Sequence, residues 1–383
     1  MNKIKLSILA IIGAGLFSAC TNSKQTKSVG TDVAIADMVQ SIPTANVQAD
    51  SLWNIWCGSM IKGYDGKYHL FYSRWPKQTG HNGWISHSQI AYAVADDPAG
   101  PYEFVNVPVP LTQERSWDNA MTHNPYIVKF DSKYYLYYIA TTGVLIDANS
   151  SIDNKEWWKR RNKQRIGVAV ADNPAGPWKR FDEPVLGENK EDSTAFDAMC
   201  VTNPAVCIGR DNKIVMLYKA VSKNGTMIGG PVRFSVAVAD SPTGPFRKTN
   251  KLIFQPEDAS KHMVAEDPYI WFDKDKDMYF AVVRDVIGQF TGEDSGALAL
   301  LQSKDAIDWT LTAKPKVLPR LLTWENGKKY DAKEMHVERP FLYFNDEGIP
   351  AYLFGAFSEH KNGIFRSHSY NVRIPLTLNN KLN

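Results

Sequence analysis

Three residues in this chain have the type and placement for acid/base chemistry: Glu266, Asp267 and Glu338. Glu266-Asp267 stands directly before Pro268, and Glu338 stands two residues before Pro340, each leading into a short apolar run. Carboxyl groups crowded into one hollow repel one another when ionised, so the pKa of one member rises and it keeps its proton at neutral pH. A protonated carboxyl beside an ionised one can protonate a leaving oxygen while the other attacks or activates water. On this reading Glu266 is the acid, and Asp267 or Glu338 is its base or partner.

What must position these groups is a repeated hairpin. Residues 262–285 run from Glu266-Asp267-Pro268 through an apolar strand, a charged turn at Asp273–Asp277 and a second strand ending at Arg284-Asp285. The same plan starts at Cys57-Gly58-Ser59, His123-Asn124-Pro125, Thr202-Asn203-Pro204 and Glu338-Arg339-Pro340, which makes five copies. The four equivalent prolines, Pro125, Pro204, Pro268 and Pro340, are 64–79 residues apart.

A second motif follows the first three hairpins: Ala93-Val94-Ala95-Asp96-Asp97-Pro98-Ala99-Gly100-Pro101-Tyr102, its near copy at 169–178, and another at 237–246; a worn form occupies 302–309. A small-residue strand, an Asp-x-Pro-x-Gly-Pro turn and an aromatic opening the next strand give four strands per unit. Five such units arranged radially are an all-β, five-bladed β-propeller with four antiparallel strands per blade. Residues near 46–55 are candidates for the outer strand of the last blade. No stretch reads as a helix, and the insertion Gly143–Gln164, with Trp157 and Trp158, is either a lid beside the site or a packed surface loop.

In a propeller the starts of the inner strands converge on the axis. The candidates for binding a substrate there are Trp56, Ser59, Arg74, Trp75, His123, Asn124, Asn203, Arg284, Asp285, His336 and Arg339. Aromatic rings suit the apolar face of a sugar, and Arg74, Arg284 and Arg339 suit a carboxylate or sulfate. Bland roles stand beside these: Glu338-Arg339 as a structural ion pair, Asp267 as a cap, and the histidines as satisfied buried groups.

These hairpin and turn motifs, over residues 50–376, resemble the five-bladed glycoside hydrolases related to families 43, 32 and 117. The resemblance implies carbohydrate as the substrate and a Glu two residues before a proline as the general acid, a position that Glu266 matches. It also implies an Asp base in the first blade and an Asp that tunes pKa in a middle one. Here Gly58 and Ser59 occupy the first slot and Asn203 the second. A non-catalytic glycan-binding propeller is therefore the rival reading. No cofactor is required, no metal ligand is assigned, and a central Ca²⁺ stays open. Two long segments, Gly143–Gln164 and Glu325–Glu334, could close a pocket and favour exo action.

The chain of 383 residues is 44% apolar and 12% aromatic, enough for a large core. A net charge of +3, without long single-sign blocks, gives no sign of a nucleic-acid partner. Lys3 and Lys5, the apolar run Leu6–Phe17 and Ser18-Ala19-Cys20 read as an export signal over residues 1–20, resembling a lipoprotein site with Cys20 lipidated. Polar residues 21–45 then read as a tether and 46–383 as the propeller, anchored at a bacterial outer membrane through its lipid alone. Cys57, Cys200 and Cys207 allow at most one internal disulfide and are expected mostly as buried thiols.

Overall fold

The computed structural model describes residues 35–378 apart from 116, 293–295, 333 and 362–363. The export signal, Cys20 and residues 21–34 lie outside the described residues.

Five four-stranded antiparallel sheets are arranged as the blades of a propeller. The inner strands are Trp53–Lys62, Met121–Phe130, Cys200–Ile208, Ala265–Asp273 and Glu338–Phe344. Neighbouring inner strands pack together around the ring, blade 5 against blade 1 included. The outer strand of blade 5 is Val47–Gln48, which pairs with Val372 and Asn371 and so closes the ring with the N-terminal segment.

The turn motif does two jobs in the first three blades. Its first Asp pairs with the hairpin lysine of the same blade: Asp96 with Lys67 at 2.7 Å, Asp172 with Lys133 at 2.6 Å, and Asp240 with Lys213. The turn is capped by the residue after that Asp, since Asp97 Oδ1 accepts from the Ala99 N–H and Asn173 Oδ1 from Ala175. Gly100, Gly176 and Gly244 take φ of 89°, 93° and 83°, where a Cβ would be strained.

Two expectations are corrected. Residues 35–45 are not part of a free tether: Ile35, Met38 and Ile42 are buried in the main core, and Ile42 N donates to Thr323 O. The insertion holds a nine-residue helix, Asn154–Asn162, capped by Asp153, whose side chain accepts from Glu156 N. Cys57, Cys200 and Cys207 are all buried and free.

Candidate active site

Each inner strand opens with the same irregularity. The pairing register skips between Trp56 and Ser59, His123 and Tyr126, Thr202 and Ala205, Glu266 and Tyr269, and Glu338 and Phe341. The residue at each skip is left-handed: Cys57, Asn124, Asn203, Asp267 and Arg339 have φ of 49–53°. A bulge of this kind turns the strand and re-aims side chains. Fivefold repetition brings these five side chains into contact.

They form a hydrogen-bonded chain. Cys57 Sγ lies 3.7 Å from Asn124 Oδ1, Asn124 Nδ2 donates to Asn203 Oδ1 at 2.9 Å, Asn203 Nδ2 to Asp267 Oδ1 at 2.7 Å, and Arg339 Nη1 to the same oxygen at 3.1 Å. Three of these blades also contribute Tyr126, Tyr269 and Phe341, whose rings pack against one another. That aromatic plug follows the polar ring along those three inner strands. In blade 1 it is Cys57, rather than Gly58 or Ser59, that stands where Asp267 stands in blade 4.

The residues one place earlier, Trp56, His123, Thr202, Glu266 and Glu338, line a hollow of about 200 Å³ together with Asn124, Asn203, Asp267 and Arg339. One wall is aromatic. Trp84 stacks on His123 with centroids 5.0 Å apart, Trp56 and Trp75 meet His81 edge-on, and Trp157 from the helix meets Trp84 at 5.9 Å. Another part of the lining is charged. Glu266 accepts from Lys219 Nζ at 2.7 Å on Oε1 and from Arg284 Nη1 at 2.9 Å on Oε2. Glu338 Oε1 meets Arg366 Nη2 closely and Arg284 Nη2 at 3.4 Å, while its Oε2 has a 3.4 Å contact with Arg366 Nη1.

These contacts push the two glutamates apart. Burial would raise the Glu266 carboxyl, but Lys219 and Arg284 outweigh it and hold the group at about 2. Burial, aided by the charges of Glu266 and Asp267, raises Glu338 above the ordinary glutamate value against Arg284 and Arg366. Of the two, Glu338 is thus the one whose surroundings favour the proton, and Glu266, expected from the sequence as the acid, is the one held ionised. Burial, with Arg366 beside it, lowers His81 to about 3; burial, with Arg339 and His81, lowers His123 well below the usual value. Both histidines are neutral hydrogen-bonding groups.

Glu266, Asp267 and Glu338 offer oxygens within 4.8 Å of one another, close enough to share a metal ion. Yet Lys219, Arg284, Arg339 and Arg366 already face these carboxyls. A hard dication prefers an oxygen cage without competing cations, so the donor set does not fit Ca²⁺.

The hollow gathers Trp56, Trp75, His123, Asn124, Asn203 and Arg339 from the binding candidates. Arg284 lies behind the two glutamates. The others serve elsewhere. Arg74 is sandwiched between Trp53 and Phe104 at 4.4 and 4.0 Å, Ser59 Oγ accepts from Ile127 N, Asp285 caps the Phe290 and Thr291 N–H groups, and His336 is not among the lining residues. Of the two expected lids, the 143–164 insertion reaches the site through Trp157, Arg161 and Gln164; in the 325–334 segment, Asp331 and Ala332 line a separate apolar hollow.

Sequence reasoning missed His81, Trp84, Arg161 and Arg366. Trp157 and Arg161 are four apart, one face of a helix, so a recognised helix would have revealed the latter.

No family model matches the chain. A curated relative is the extracellular endo-α-(1→5)-L-arabinanase 2 of Bacillus subtilis, 24% identical over 278 residues. That match covers 68% of this chain and 49% of the relative, so the chain matches about half the length of that protein. Among solved structures, the family 117 glycoside hydrolase Zg3597 of the marine bacterium Zobellia galactanivorans superposes with a TM-score of 0.55, at 19% identity and 86% coverage of both chains. A thermostable family-43 glycoside hydrolase gives 0.57, at 13% identity, covering 87% of this chain and 92% of the other. The chain has the five-bladed fold of those hydrolases.

Proposed function

We propose that the protein is a glycosidase that removes sugar units from the end of a plant or algal polysaccharide or oligosaccharide. Glu338 donates the proton to the leaving oxygen, and Glu266 is the ionised partner. The observation that carries this reading is the pair of glutamates in one axial hollow, one held ionised by Lys219 and Arg284 and the other raised above the ordinary glutamate value by burial. One oxygen of each lies within 4.8 Å of the other, close enough for both carboxyls to reach a single glycosidic bond. The cations that hold Glu266 ionised support it as the group that attacks the anomeric carbon or activates a water. The Trp84–Trp157 wall supports a pocket over an open cleft, hence exo action. The N-terminal sequence supports export and anchoring through Cys20.

The test is a panel of aryl glycosides and plant or algal oligosaccharides with product chromatography. Single sugars are the expected products, and a ladder of shorter oligosaccharides would remove the exo reading. Glycans bound but never cut would leave a non-catalytic binding propeller. That second reading is favoured by Cys57 and Asn203, which stand in the ring where blade 4 carries Asp267.

Two further outcomes follow. The pH profile of kcat should fall as pH rises through the Glu338 value and lack a matching rise in the usual carboxylate range, because Glu266 stays ionised down to about 2. A bell with both limbs between about pH 4 and 8 would sink the assignment. Trp157→Ala, which removes the outer wall, is expected to raise KM about 2–10-fold with little change in kcat.

A further inference from the structure

The hollow holds more positive charge than its catalytic pair needs. Lys219 and Arg284 serve Glu266, Arg366 and Arg284 serve Glu338, and Arg339 serves Asp267. Arg161 serves none of them. It lines the hollow from the insertion helix, its Nη1 donates to Asn162 Oδ1 at 3.2 Å and Ile228 O at 3.4 Å, and its guanidinium lies 5.6 Å from the Trp158 ring. All of these are neutral partners; among the described residues no carboxylate pairs with it. Five cations thus stand against three carboxyls.

Half-buried positive charge in such excess is costly unless an anion completes it. A guanidinium offers parallel N–H donors suited to a planar carboxylate or to a sulfate. Trp84 and Trp157, which line the same hollow, supply a surface for the apolar face of a ring. An isolated inorganic anion would have no use for that wall.

We propose that the substrate of this hollow is an acidic sugar, a uronate or a sulfate ester, whose anionic group is bound by Arg161. The proposal rests on the glycosidase reading and narrows it to a substrate class. Arg161 is a specificity-determining residue here, while Glu338 and Glu266 do the chemistry. The Arg74, Arg284 and Arg339 clamp expected from the sequence is replaced, because Arg74 is elsewhere and the other two are engaged by the carboxyls.

The experiment uses paired oligosaccharides: each uronate beside its carboxyl-reduced counterpart, and each sulfate ester beside its desulfated one. Both cleavage and calorimetric binding are measured on the purified protein. The anionic member of one kind of pair is expected to be cut with kcat/KM about 100-fold above its neutral partner, and the kind of pair identifies the anion. That advantage should shrink to under about tenfold at roughly 0.5 M NaCl. Arg161→Gln should raise KM for the anionic substrate about 10–100-fold with kcat changed much less, and Arg161→Lys should recover part of the loss.

Equal or better cutting of the neutral members would overturn the acidic-sugar assignment and leave the glycosidase standing. Selective binding of anionic members without cleavage would do the reverse. No preference in either measurement overturns the proposal outright. Should Arg161→Gln fail to fold, the salt dependence and competition by free uronate or sugar sulfate on the parent protein decide the matter.

Discussion

Glu338→Gln is expected to lower kcat on oligosaccharides by about 10²–10⁴-fold, the usual contribution of a positioned general acid. The same variant should lose far less on a glycosyl fluoride, whose leaving group departs without a proton. The argument runs through the two oxygens of Glu338. Oε1 takes the close contact from Arg366 and the 3.4 Å contact from Arg284, whereas Oε2 has only a 3.4 Å contact to Arg366 Nη1. Oε2 is thus the oxygen free to carry the proton. The substituted amide keeps the size of the side chain and an acceptor for Arg366, so the fold should survive. Glu266→Gln should behave differently. Both Glu266 oxygens are fixed by cations, and its loss removes negative charge that the oxocarbenium-like transition state needs whatever the leaving group. Its activity should fall on the fluoride and on the oligosaccharide alike. Rescue of Glu266→Gln by the fluoride, with none for Glu338→Gln, would return the proton to Glu266 and refute the arrangement argued here.

The inversion of roles proposed for the two glutamates shows what the sequence carries and what it does not. Five units, four strands each, were legible because alternating strands and Asp-x-Pro-x-Gly-Pro turns are local signals, repeated often enough to exclude accident. The convergence of Glu266, Asp267 and Glu338 was legible too, since equivalent positions in a radial repeat must meet at the axis. Which carboxyl holds the proton was not. That depends on Lys219, 47 residues before Glu266, which stands near the end of its second strand as Arg284 does in the next blade, and on Arg366, 28 residues after Glu338, whose approach no motif encodes. The helix Asn154–Asn162 was missed because Trp157 and Trp158 are adjacent and make no 3.6-residue stripe. Its signal was the cap alone, Asp153 with Glu156 three residues on. Residues 35–42 carry five apolar side chains beside Asp37, Gln40 and Ser41, and only the waiting core shows that Ile35, Met38 and Ile42 are buried.

Asp267 offers the sharper test of the axial ring, because the sequence makes it a candidate base and the structure makes it a counter-charge. Its Oδ1 accepts from Arg339 and Asn203, and both Asp267 and Arg339 are about 5% exposed or less at the side chain. Asp267→Ala would strand the Arg339 guanidinium in the interior, and breaking a buried pair from one side costs about 3–5 kcal/mol. A fall of that size in unfolding free energy, read from urea denaturation, is expected. Asp267→Asn keeps the volume and the acceptor for Asn203 and should fold better, yet it removes a negative charge that helps raise Glu338. The falling limb of its pH profile should therefore move to lower pH, because Glu338 then gives up its proton more readily. A base would behave otherwise: Asp267→Asn would abolish turnover at every pH, on glycosyl fluorides as well, without moving the limb. An unshifted limb with full stability in Asp267→Ala would mean that the five left-handed residues are mere geometry, and that the charge pattern above them is set without help from the ring.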